Sequence, residues 1–139
     1  MKTHRLILIA IILILTKYSF SQSVGISEND SFTIRGIVID HKTKETIPAV
    51  LVTLFFDNNH YVSCLCDLNG KFILNVPENE KVYKESYLEF LMFTYCPVII
   101  SGDLRNIDHL DIKMDFDPSS KIKKEEFFEL CKERYNYNE

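Results

Sequence analysis

The chain has 139 residues, 46% of them apolar and 26% charged, enough for one domain with a core and too few for two. Sixteen Lys and Arg stand against twenty Asp and Glu; residues 1–21 hold three of those cations and no acid, so the chain from Gln22 onward carries a formal −7. That balance argues against nucleic acid as a partner and against an electrostatic grip on anionic lipid.

The N-terminus reads as an export leader. Lys2, His4 and Arg5 form a basic start, Leu6 to Leu15 is an unbroken apolar run of ten residues, and Ser19-Phe20-Ser21 offers small residues for cleavage before Gln22. A membrane-spanning helix needs about 20 apolar residues, and this run is half that. The expectation is a signal peptide over 1–21, an exported chain, and no stable membrane insertion once the leader is removed. Residues 22–31 are polar without periodicity and read as a flexible lead-in.

From Phe32 the texture turns to strands. Phe32 to Ile39 is β-branched and aromatic, and Asp40 to Thr46 reads as a turn. Pro48 suits a strand start. Ala49 to Phe56 is apolar on both faces, which predicts a central strand covered on both sides. Asp57 to His60 is a turn cluster, and Tyr61 to Cys66 is the next strand. Asp67-Leu68-Asn69-Gly70 then predicts a hairpin, on the ground that both Asn and Gly tolerate positive φ. Phe72, Leu74 and Val76 alternate with Lys71, Ile73 and Asn75, the pattern of a half-buried strand. A charged loop follows over 77–84. Tyr87 to Tyr95 is an apolar strand broken by Cys96-Pro97, and Val98 to Ile100 resumes briefly. After a loop over 101–106, Leu110, Ile112, Met114 and Phe116 alternate with Asp111, Lys113, Asp115 and Asp117, one face to the core and one to water.

Seven short strands predict an all-β, seven-stranded antiparallel sandwich over 32–117. Pro118 to Ser120 closes it. In the tail, 118–139, Phe127, Cys131 and Tyr135 recur every four residues beside Phe128, a short amphipathic helix. Phe127, Phe128, Cys131 and Tyr135 are therefore candidate partner-binding residues, or a stripe that lies against the sandwich.

Several of these segments resemble the carboxypeptidase regulatory-like domain. They are Gly36-Ile-Val-Ile-Asp40, Thr43-Lys-Glu-Thr-Ile-Pro48, Val50-Leu-Val52, Asp67-Leu-Asn-Gly70-Lys-Phe72, Val76-Pro77 and Leu88-Glu-Phe90, in order across residues 32–117. The resemblance implies a prealbumin-like sandwich and a non-catalytic accessory or binding module of a Gram-negative cell envelope, in the periplasm or at the surface. Its partner would be an envelope protein. Two departures stand out: Cys66 replaces a threonine before the hairpin, and Phe93-Thr-Tyr95-Cys-Pro97 lacks the usual Gly-Tyr pair.

Chemistry-bearing residues are few. Cys64, Cys66, Cys96 and Cys131 are an even set, which in an exported chain invites disulfides with three pairings. Cys64 and Cys66 share one face of a strand, so a bridge from either to Cys96 is the candidate, with Cys131 tying down the tail; the alternative is four thiols serving as small apolar groups. A one-residue Cys spacing is poor for zinc. His41, His60 and His109 fall in turns or at a strand start, with no motif joining them to a nucleophile. No catalytic, cofactor-binding or metal residue is assigned. The other classes left open are a hydrolase built on those histidines and a thiol or metal role for Cys64 and Cys66.

Overall fold

The computed structural model describes residues 31–77, 80, 82, 85–107 and 109–135. The leader, 1–21, and most of the lead-in lie outside the described residues. Seven strands run in the order β1 (Phe32–Asp40), β2 (Leu51–Phe55), β3 (Tyr61–Leu65), β4 (Lys71–Val76), β5 (Tyr87–Leu91), β6 (Val98–Ser101) and β7 (Leu110–Met114), followed by one helix, α1 (Lys124–Tyr135). They form two sheets, β4-β1-β7 and β3-β2-β5-β6. The all-β sandwich of seven strands with a C-terminal helix is therefore the fold.

One feature of the expected architecture is corrected. The sandwich is not wholly antiparallel, because β1 and β7 pair in parallel, with Gly36 opposite Leu110 and Asp40 opposite Met114. A parallel pair needs a long crossover, and here the chain supplies one by building the whole second sheet before β7 returns to β1.

Alternation decides what lies between the sheets. Ile34 and Val38 of β1, Phe72, Leu74 and Val76 of β4, and Ile112 and Met114 of β7 point inward from the three-stranded sheet. Val52, Leu54, Val62, Leu88 and Phe90 meet them from the other. Phe72 and Phe90 cross the interface edge to face at 5.5 Å. Gly36 is where this packing is tightest. A Cβ there would lie 2.2 Å from the Leu110 carbonyl oxygen and 2.8 Å from the Phe72 ring, so β7 and Phe72 both depend on its absence.

All five residues of β2 are buried, as its apolar run predicts. The outward half, Leu51, is covered together with Leu91 by Phe127 of α1, with Leu65, Phe93, Ile122, Leu130 and Cys131 around them. Arg134 in the last turn of α1 donates to Glu89 of β5 at 2.6 Å and stacks over the Phe55 ring at 5.0 Å. Acids in the first turn and Lys132 and Arg134 in the last also suit the helix dipole. The helix thus covers β2 and β5 on the outer face of the four-stranded sheet, with Ile99 of edge strand β6 still 61% exposed, and no other described element covers the outer face of the three-stranded sheet.

A tight turn stands at Asp67–Gly70, but it is not the expected hairpin, because β3 and β4 do not pair with each other. Only Gly70 has positive φ, at 70°, and Asn69 does not. The Gly70 amide donates to the Asp67 carbonyl at 3.0 Å, and the Asp67 carboxylate accepts from the amides of Asn69 and Lys71. This is a three-residue turn ended by a left-handed glycine. It carries the chain from one sheet to the other, since β3 and β4 belong to different sheets.

Candidate functional site

The bare face is built by the outward residues of β1, β4 and β7. In the antiparallel pair, Arg35 lies opposite Ile73 and Ile37 opposite Lys71. All four are outward positions, and Ile73 is 63% exposed. They form a two-by-two pattern, a cation and an isoleucine on each strand. Beside them the edge of β3, His109 and the end of α1 at Tyr135 complete an open groove of about 740 Å³. That size is within the range of small-molecule sites.

The charges along the groove are not equivalent. His109 faces Asp111 at 3.1 Å. Asp67 also lines the groove, but its carboxylate is engaged by two turn amides. Arg35 and Lys71 make no ion pair with another described residue, whereas His41, His60, His109, Lys132 and Arg134 each face a carboxylate. Sequence reasoning missed this groove. The signal was present in the alternation of Arg35 with Ile37 and of Lys71 with Ile73, and only the register of β1 against β4 turns it into a patch.

The four cysteines are free and dispersed. Cys64 and Cys66 face the inter-sheet core as their spacing predicts, and burial pushes both thiols up to about 12. Cys96 is exposed after the bridge between Tyr95 and Phe116, with its Sγ 3.8 Å from Asp117. Cys131, on the sheet-facing side of α1, is half-buried, and burial raises its thiol too. The structure therefore brings Cys64 and Cys66 to one face and sets Cys96 and Cys131 elsewhere. The expected link from β3 to Cys96 is not formed, because Cys96 lies past the end of β5 at the surface rather than on a strand beside β3.

The aromatic stripe of the tail is split in two. Phe127 is 2% exposed against the sheet and Cys131 lies beside it, so these two serve the fold and not a partner surface. Phe128 and Tyr135 are about half exposed, and Tyr135 lines the groove.

The histidines do not converge. His41 pairs with Asp115 at 3.0 Å at the far end of β7, His109 with Asp111 near its start, and His60 with Glu80 at 3.1 Å beyond β2. At about 3.3 Å of rise per residue, His41 and His109 are separated by roughly the length of β7. Among the described residues no group of three His, Cys, Asp or Glu is arranged to hold a metal ion, and no helix is long and apolar enough to cross a membrane.

No family model matches the sequence, and no curated protein sequence matches it. Among solved structures, the chain is similar to a cohesin–X-dockerin complex of Acetivibrio cellulolyticus at 16% identity and a TM-score of 0.44, covering 72% of each chain. It is similar to the shaft pilin SpaA of Lactobacillus rhamnosus GG at 12% identity and 0.37, covering 68% of this chain and 48% of that one. A 9R-lipoxygenase of Cyanothece aligns at 15% identity and 0.42 over 70% of this chain, which spans 18% of the lipoxygenase.

Proposed function

We propose that the protein is a non-catalytic binding module of the bacterial cell envelope, exported by the leader at 1–21, whose ligand seat is the groove on the bare three-stranded sheet. The observation that carries the reading is the one-sided cover of the sandwich. α1 buries Leu51 and Leu91 on the outer face of one sheet and pairs with Glu89 there, while the other outer face keeps two isoleucines and two cations with no ion-pair partner among the described residues in a concave site. Binding sites combine apolar lining with a few placed polar groups in this way. The leader layout supports export, and the ordered motifs across 32–117 support a carboxypeptidase regulatory-like module in a Gram-negative envelope, there as an accessory to an envelope protein.

The test is a titration of the isotope-labelled protein with a small-molecule extract of the cell envelope, followed by backbone chemical shifts. Perturbations confined to residues 35–37 and 71–73 and their neighbours are expected. Shifts confined to the helix-covered face, or none at all, would overturn the reading.

A further inference from the structure

We propose that the groove takes a small organic anion with an apolar body, the anion held between Arg35 and Lys71 and the body laid on Ile37 and Ile73. This deepens the binding-module reading and rests on it. The register fixes the arrangement: Arg35 is opposite Ile73 and Lys71 is opposite Ile37, so the two cations are diagonal neighbours and the two isoleucines occupy the other diagonal. Diagonal Cα atoms across an antiparallel pair are about 7–8 Å apart, a span two flexible cationic side chains close on one carboxylate or sulfonate.

Three features favour this occupant. First, the exported chain is formally acidic, yet Arg35 and Lys71 make no ion pair with another described residue, the nearby carboxylates of Asp67 and Asp111 being engaged by turn amides and by His109. The other Arg near a groove-lining element, Arg134, is held by Glu89 at 2.6 Å, so the fold supplies an acid where a cation is structural. Second, Ile73 is 63% exposed in mid-strand, beside Lys71, which gives the site an apolar floor rather than a purely ionic one. Third, about 740 Å³ suits one small molecule. Arg35 contributes a planar fork for the acid group and Lys71 a mobile point charge.

The probes are 8-anilinonaphthalene-1-sulfonate, an apolar anion, and N-phenyl-1-naphthylamine, the same aromatic body without the charge, both read by fluorescence with the purified protein. The expected result is at least about tenfold tighter binding of the sulfonate, a preference that the double variant R35Q/K71Q loses while its affinity for the amine is unchanged. The Ile73→Asp variant is expected to weaken both probes. All three substituted side chains are exposed, so each variant retains the fold. Equal affinity for the two probes, or a preference that survives R35Q/K71Q, overturns the anion inference and leaves the binding module standing. Failure of both probes to bind, or binding of both that is indifferent to Ile73→Asp, overturns the groove as a ligand seat and the anion inference with it.

Discussion

Replacing Phe127 by Ala tests whether α1 is held to the sandwich by one anchor. Phe127 is 2% exposed, packed on Leu51 and Leu91 with its ring 5.6 Å from that of Phe93. Truncating such a ring removes its burial and leaves a cavity between two elements that collapse only partly, a loss of about 3–5 kcal/mol. Phe128, its neighbour in sequence, is 47% exposed. It forfeits half of the ~1.5–3 kcal/mol that a buried Phe contributes, and water fills the space, so Phe128→Ala is expected to cost about 1 kcal/mol. Urea unfolding followed by tyrosine fluorescence measures both, since the chain has seven Tyr and no Trp. Protease digestion of the 124–135 segment shows whether the Phe127→Ala loss falls on helix docking. A cost below about 1.5 kcal/mol for Phe127→Ala, or equal costs for the two variants, would refute the anchor.

Other outcomes follow from the same packing. Gly36→Ala sets a Cβ 2.2 Å from a backbone oxygen of β7, which cannot move without breaking the parallel pair; a loss of at least about 3 kcal/mol in urea titration is expected, and a near-neutral variant would refute the close approach. In thiol titration at pH 8, Cys96 reacts at once, Cys131 slowly, and Cys64 and Cys66, pushed up to about 12, only after unfolding. Four thiols are expected in denaturant, and a count of two would reveal a bridge. Asp40 accepts from the amides of Thr43 and Lys42, which holds its carboxyl below the usual range. Its contribution is complete above the unfolded value of about 3.9 and is lost as pH falls through the lower folded value, so Asp40→Asn flattens the acid limb of a stability-versus-pH curve. An unchanged acid limb would refute that role. Ala49 holds φ at 57°, so Ala49→Gly is expected to leave stability unchanged or raise it by up to about 1 kcal/mol, and a clear loss would contradict the left-handed turn.

Local pattern carried most of the fold. Strict alternation named the inward residues of β4 and, in β7, Ile112 and Met114, but not Phe116, which lies past the end of the strand and is 51% exposed; the two-faced run at 49–56 announced a strand, β2, covered on both sides. The helix cover was legible in Phe127 because a four-residue repeat needs a surface to meet. What the sequence does not encode locally is pairing between distant strands. Neither the parallel run of β1 beside β7 nor the register of Arg35 with Ile73 leaves a mark in either segment alone. The turn at 67–70 failed for a related reason. Asn-Gly suits a two-residue hairpin, but Asp67 uses its carboxylate on the amides of Asn69 and Lys71, and the strands it joins enter different sheets. Cysteine pairing was illegible in the same way, since Cys96 lies at a surface bend and not beside β3.

The two outer faces of the sandwich show why the groove stands where it does. Both sheets expose an alternating row, and both rows carry apolar and charged residues. On the four-stranded sheet a helix supplies Phe127 for Leu51 and Leu91, and Arg134 for Glu89, while Ile99 of edge strand β6 stays exposed. On the three-stranded sheet Asp111 is answered by His109 and Asp115 by His41. Among the described residues Arg35 and Lys71 have no ion-pair partner and Ile73 is largely exposed, at the place where α1 ends at Tyr135. Among the described residues one α-helix packs on the sandwich, and it lies on the four-stranded sheet. The less covered face retains an exposed isoleucine between cations that pair with no other described residue; water solvates the cations but not the isoleucine, whereas an apolar anion would meet both.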